Sequence, residues 1–465
     1  MASLVLAAAG AAGELATLSP AAAQLAAYLA IDTTNPPGNE RAGAELLAGL
    51  LRAAGIEPQL FVSPLGRVSL CARLPASTGS VASVAGTRKP GAIVLLHHID
   101  VVPAGDGWRH PPFAGEVHDG ELWGRGAIDT KGLGIAHLAA FLDAARSPLP
   151  RRRELVFLAV ADEEAGGGEG VGWLLAAHPE LFENIDAVLN EGGVNKSVSG
   201  RMLYWGIEVA QKRPLWLEVR AAGRPGHASA ANPESATHRL VAGLARLVAA
   251  PRPPRLTPEG RDFLTALARL DPQARTVLEE VEALTGDGDP AARPLALPGF
   301  ESLLTDTVQI TTLTGSDRIN VVAGEARAGI DIRLLPDTDA TAFVAALEQL
   351  LGPGLEVSVR LSSAAAPASS TSSAIYQTIA TTLAPGTSIP PVPVVPAFIP
   401  AFTDARSFRA RGIAAYGFSP FALDALELRT VHAPDERISL ATLDKGVETM
   451  TRVVRALVFP TPGAQ

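Results

Sequence analysis

Several short stretches of this chain place acidic and imidazole side chains where apolar strands stop. In "LLHHIDVVPA" (95–104) an apolar run meets His97, His98 and Asp100. Ionisable groups at the end of a buried strand are costly unless they are paired or bind a metal. Alternation puts His98 and Asp100 on one face and His97 on the other. A histidine held by a carboxylate is a metal ligand with its supporting partner, and also a common way of satisfying a core histidine. In "LWGRGAIDTKG" Asp129 follows a Gly-rich turn and precedes a helix, so it is either a ligand or a helix N-cap. "VADEEAGGGEG" ends an apolar strand on three successive acids, whose repulsion is destabilising unless a cation neutralises it. The competing reading is a solvated acidic turn; as neighbours, Glu163 and Glu164 could serve one as ligand and one as base. "LNEGG" repeats the arrangement with Glu191, and "LRTVHAPDERI" holds His432 in a short loop before an apolar helix. Two histidines with such carboxylates are the donor chemistry of a two-zinc hydrolase, one carboxylate bridging the ions.

The elements that must position these groups can be read from periodicity. Helical spacing in "AAAQLAAYLAI" and "RAGAELLAGLLRAAG" flanks the loop "DTTNPPGNE". Strands "AIVLLHHID", "ELVFLAVADEE" and "AVLNEGG" alternate with helices "TKGLGIAHLAAFLDAARS" and "GVGWLLAAHP". This rhythm predicts an α/β fold, a mostly parallel sheet with flanking helices, whose function gathers beyond the carboxyl ends of the strands. From about Lys212 the order of strands and helices changes to that of a compact α+β insert, and "AAAPASSTSSA" reads as the hinge back. The expected domains are 1–210 and 364–465 for the first fold and 211–363 for the insert. "IPPVPVVPAFIPAF" is too proline-rich for a central strand and is expected to be exposed or at a sheet edge.

At 465 residues the chain is longer than one core usually supports. A net charge of −9 with dispersed acids argues against a nucleic-acid partner. Cys71 is the single cysteine, so any metal must be held by His, Asp and Glu. The alanine-rich opening run has no Lys or Arg before Arg41, so the basic region of a signal peptide is missing. The default compartment is the cytoplasm, with secretion left open by that apolar start. No other apolar run is long and uniform enough to span a membrane.

In their order, "HIDVVPA…GWRHPPFAGEVHDGELWGRGAIDTKG", "ADEEAGG", "NEGG", "GRPGHAS", "INVVAGEARAGIDIRLLP", "FTDARSF" and "HAPDERI" resemble the M20 family of metallopeptidases and aminoacylases. The long insert and the "NEGG" form look like its carboxypeptidase S and N-acyl-amino-acid hydrolase branch. The resemblance implies two zinc ions, with cobalt or manganese as substitutes. His98, Asp129 and Glu191 would bind one ion; Asp129, Glu164 and His432 would bind the other. Glu163 would be the general base and Asp100 would orient His98. The insert would be a lid and dimerisation domain, giving a homodimer in which His227 of "GRPGHAS" polarises the scissile carbonyl, often that of the partner subunit. Without the resemblance His227 reads as a turn histidine. Asn320 and Arg333 would hold the substrate carboxylate, although Arg333 could instead support the fold as the partner of Asp331.

The activity implied by the resemblance is hydrolysis of N-acyl amino acids or of the C-terminal bond of short peptides, in which a metal-bound hydroxide attacks after Glu163 takes its proton. The alternatives are a two-zinc aminopeptidase or dipeptidase and a catalytically silent metal-binding scaffold; silent members usually lose a ligand or the base, and this chain keeps them all. "HHID" for the usual Gly-His, "KRP" for Lys-Gly, "AFTDA" without Gly-Gly and "GFSPF" for a glycine-richer loop alter the pocket wall, so they bear on the substrate rather than the chemistry.

Overall fold

Strands Leu155–Val160 and Ala92–His98 are buried along their whole length, as expected for apolar runs covered on both faces of a parallel sheet. The computed structural model describes residues 18–77, 90–287, 299–384 and 391–460. The alanine-rich opening run lies outside them. The strands lie in the order Gln59–Val62, Val68–Leu74, Leu155–Val160, Ala92–His98, Ile185–Asn190, Ala415–Gly417, Arg201–Gln211, Val394–Ile399, with Lys196–Val198 pairing beside Arg201–Gln211. Parallel ladders join the four from Leu155–Val160 to Ala415–Gly417. Antiparallel ladders flank them on both sides.

Helix Lys131–Arg146 packs on strand Ala92–His98. A Cβ at Gly134 would run into the His97 ring, so a glycine is what lets helix and strand approach here. The C-terminal helix Leu440–Val458 packs against the same helix. Its leading strand Arg437–Ser439 joins Glu121–Trp123 and Glu116–His118 in a separate three-stranded sheet, which ties the His432 loop to the segment before Asp129. The proline-rich segment supplies Val394–Ile399 at the sheet edge, as a strand containing Pro396 requires. It is not an exposed segment, because Val395, Ala397 and Phe398 are buried.

The chain divides into two compact units. The larger holds the sheet just described; the smaller is Ala210–Ala368 with Phe398–Phe402, where the sequence pattern predicts 211–363. Its four-stranded antiparallel sheet runs Thr307–Thr314, Glu325–Leu334, Arg213–Ala222, Leu355–Ser362. Alternating burial along Glu325–Leu334 turns one face onto helices Ala236–Ala249 and Ala340–Leu351, where Leu217, Leu240, Ile330 and Leu347 form the core. Among the described residues, no helix is long and apolar enough to cross a membrane.

Candidate metal centre

The donors meet beyond the carboxyl ends of the parallel strands. His98 is the last residue of its strand, Glu191 comes directly after Ile185–Asn190, and Glu163 and Glu164 open a short 3-10 turn after Leu155–Val160. Asp129 stands in the loop before helix Lys131–Arg146. It is not that helix's N-cap, a position occupied by Thr130. Its two carboxylate oxygens face opposite partners: Oδ1 lies 3.1 Å from His98 Nε2 and Oδ2 lies 3.0 Å from His432 Nε2. Glu191 Oε1 lies 3.7 Å from His98 Nε2, and Glu164 Oε1 lies 3.4 Å from His432 Nε2. His98, Asp129 and Glu164, and also His98, Glu163 and Glu191, each offer ligand atoms within 4.8 Å of one another.

This concentration of acid in a buried place shifts the titration of several groups within it. Burial raises the pKa of Glu163 and of Glu191 well above the carboxylate range, and their acidic neighbours add to the rise. Hydrogen bonds to Asp129 and Glu164 lift His432 to about 10. Burial alone would deprotonate His98, yet Glu191, Asp129 and Asp100 hold its pKa well above that of a free imidazole. Oε1 of Glu163 is buried without a hydrogen-bond partner. Imidazole and carboxylate donors, an excess of negative charge and an unpartnered carboxylate oxygen fit divalent cations, which would displace those protons on binding.

Other residues fix the donors. His98 Nδ1 lies 2.8 Å from the Asp100 carbonyl oxygen, closer than the 3.7 Å to its carboxylate. Asp100 therefore meets His98 chiefly through its main chain, a detail that strand alternation does not foresee. Its carboxylate instead accepts the backbone N–H groups of Glu163 at 3.2 Å and Glu164 at 3.1 Å, and Asn35 Nδ2 at 2.8 Å. Of the three consecutive acids, Asp162 is neutralised by Arg67 at 2.8 Å, which leaves Glu163 and Glu164 to the centre. His97 points away, buried among Tyr28, His137 and Phe157.

Two supporting residues lie inside motifs singled out in the sequence but carried no role there. Glu436 accepts from the backbone N–H groups of Gly126, Ile128 and Asp129 at 2.8–3.0 Å and from Arg125 at 2.7 Å, holding the Asp129 loop like a clamp. Asp404 is buried with both oxygens unpartnered; burial raises it to about 7, and it pushes Glu163 up further. A carboxylate in "DERI" or "TDAR" shows its partners only after folding.

In the smaller unit His227 is exposed, its Nδ1 2.8 Å from Ser229 Oγ, the local turn contact of the simpler reading. Its short strand pairs with Val321–Val322, and Ala228 N–H donates to the Asn320 carbonyl at 3.0 Å, so His227 and Asn320 are neighbours. Arg333 gives Nε and Nη2 to the two oxygens of Asp331, each at 2.7 Å, and lies over the Phe402 ring. That is the fold-supporting pair anticipated as its alternative.

Residues 94–456 match the family model described as "Peptidase family M20/M25/M40". The chain is 27% identical over 448 residues to aminoacylase-1 of Sus scrofa, covering 92% of this chain and 93% of that protein. It is 26% identical over 384 residues to the probable carboxypeptidase S-like 2 of Dictyostelium discoideum, covering 78% and 71%. Among solved structures, the M20 family metallo-carboxypeptidase Sso-CP2 from Sulfolobus solfataricus shares the fold, with a TM-score of 0.69 over 95% of this chain and 99% of that one at 18% identity.

Proposed function

Because this chain belongs to the M20/M25/M40 peptidase family, a family of metallohydrolases, we propose that it hydrolyses the amide bond of N-acyl amino acids, or the C-terminal bond of short peptides, at a two-zinc centre. The observation that carries this reading is Asp129 between His98 and His432, with Glu164 and Glu191 beside them. His98, Asp129 and Glu191 would hold one ion, and Asp129, Glu164 and His432 the other. When bound, the zinc ions would polarise the substrate carbonyl and make a coordinated water acidic near neutral pH.

The chain's own groups do the rest. Glu163, its Oε1 unpartnered, takes the proton of the attacking water and passes it to the leaving nitrogen. Donation from Nδ1 of His98 to the Asp100 carbonyl leaves Nε2 to the ion, and the Asp100 carboxylate fixes the backbone that carries base and ligand. His227 would polarise the scissile carbonyl, and Asn320 with the remaining Nη1 edge of Arg333 would meet the substrate carboxylate. The aminoacylase relative, similar across nine-tenths of the chain, supports an acyl substrate over a free amine.

The test is a screen of zinc-loaded protein against N-acetyl amino acids, blocked dipeptides and free dipeptides, with metal content measured in parallel. We expect about two ions per chain, from two sets of three ligands sharing Asp129, and cleavage of substrates with a free carboxylate and no free amine. Glu163→Gln should lower turnover by about 10²–10⁴-fold with its metal retained. An active metal-free protein, or full turnover in Glu163→Gln, would sink the reading.

A further inference from the structure

A cavity of about 250 Å³ opens beside the metal centre, and Asp129 and Glu191 line it. Every residue around it belongs to the larger unit. Its walls are apolar: Leu133, Val194, Phe421, Leu423, Leu428 and Val431. The neutral polar side chains of the lining are engaged with main chain. Asn195 Nδ2 donates to the Ser419 carbonyl at 2.7 Å, and its Oδ1 accepts from Gly206 N–H at 3.1 Å. Thr130 Oγ1 donates to the His98 carbonyl at 3.2 Å, and Ser419 Oγ accepts from Phe421 N–H at 3.5 Å. The charged lining residues are Asp129 and Glu191, both of the metal centre.

Such a space favours one half of an N-acyl amino acid. The half with the free carboxylate needs a cationic donor, and among the described residues no Lys, Arg or His lines the cavity. The acyl half needs only apolar surface next to the reacting carbon. We propose that this cavity is the acyl-group site and selects medium-length or aromatic apolar acyl groups, an inference that rests on the amidohydrolase reading. An apolar cavity of about 150 Å³ takes benzene, so this one takes roughly ten carbon atoms. A long fatty chain must leave part of itself in water.

The experiment compares N-acetyl, N-butanoyl, N-hexanoyl, N-octanoyl, N-dodecanoyl and N-palmitoyl derivatives of one amino acid. kcat/KM should rise about fourfold per methylene to octanoyl and then level or fall. Calorimetric Kd values of the same compounds for Glu163→Gln should run in parallel, which gives a readout separate from turnover. Leu428→Trp and Val194→Phe, which narrow the cavity from different walls, should each lower the octanoyl-to-acetyl ratio of kcat/KM by about tenfold or more. Indifference of both rate and Kd to acyl length overturns the proposal, as does an octanoyl-to-acetyl ratio that neither Leu428→Trp nor Val194→Phe changes. If none of the compounds is cleaved yet Kd tracks acyl length, the proposed reaction fails and the acyl site stands.

Discussion

His137 sits inside helix Lys131–Arg146, fully buried, with neither ring nitrogen hydrogen-bonded. The His97 ring lies edge-on at 6.5 Å and offers no bond. Burial lowers the His137 pKa from 6.5 to about 3, so the ring is neutral in the folded protein across the physiological range. The folded pKa lies below the unfolded one. As pH falls from about 6.5 to about 3, the unfolded state takes up a proton that the folded state refuses, and stability is lost over that window. His137→Leu removes both the uncompensated polar atoms and this proton uptake. It should stabilise the protein by about 1–3 kcal/mol near neutral pH, and its advantage in Tm over the parent should widen from pH 7 toward pH 4. An advantage independent of pH, or a loss of stability, would mean that the ring is bonded in solution.

At the level of loops and strands, Glu436 is the part whose removal is most informative. It forms a buried ion pair with Arg125 and accepts three main-chain N–H groups of the loop that presents Asp129. Glu436→Ala leaves a buried guanidinium unpaired, at a cost of about 3–5 kcal/mol, and frees the loop. Metal content by elemental analysis should fall along with Tm. A variant that unfolds earlier but still holds its full complement of metal would show the clamp to be purely structural. The clamp is not legible in the sequence, because residues 126–129 and 436 meet only through the fold. The parallel strands are legible, since burial on both faces leaves uninterrupted apolar runs such as "AIVLL" and "LVFLAV". The strand ends carrying His98, Glu163, Glu164 and Glu191 can be read for the same reason. The flanking antiparallel strand Arg201–Gln211 cannot, because "RMLYWGIEVAQ" carries no clean alternation and no turn signal before the next strand. Arg333 shows the limit from the other side: its shared face with Asp331 is legible, but whether the guanidinium serves its neighbour or a ligand is not.

For the whole molecule, the proposed role of His227 bears on whether catalysis needs one chain or two. His227 and Asn320 are exposed and adjacent in the smaller unit, while the donors lie in the larger one. If His227 serves a partner chain, mixing His227→Ala with Glu163→Gln should restore part of the activity through subunits that complement each other. No recovery despite demonstrated subunit exchange would show that His227 works within its own chain or not at all.

The clamp has a further consequence, one of timing. Asp129 and its loop are made early, but His432 and Glu436 emerge from the ribosome some three hundred residues later, after the entire smaller unit. A nascent chain therefore carries four of the five proposed donors, with Asp129 on an unclamped loop, throughout most of its synthesis. On the proposed function, amide hydrolysis would switch on only when that last segment docks, because it brings His432 to Asp129 and Glu436 to the loop that carries it.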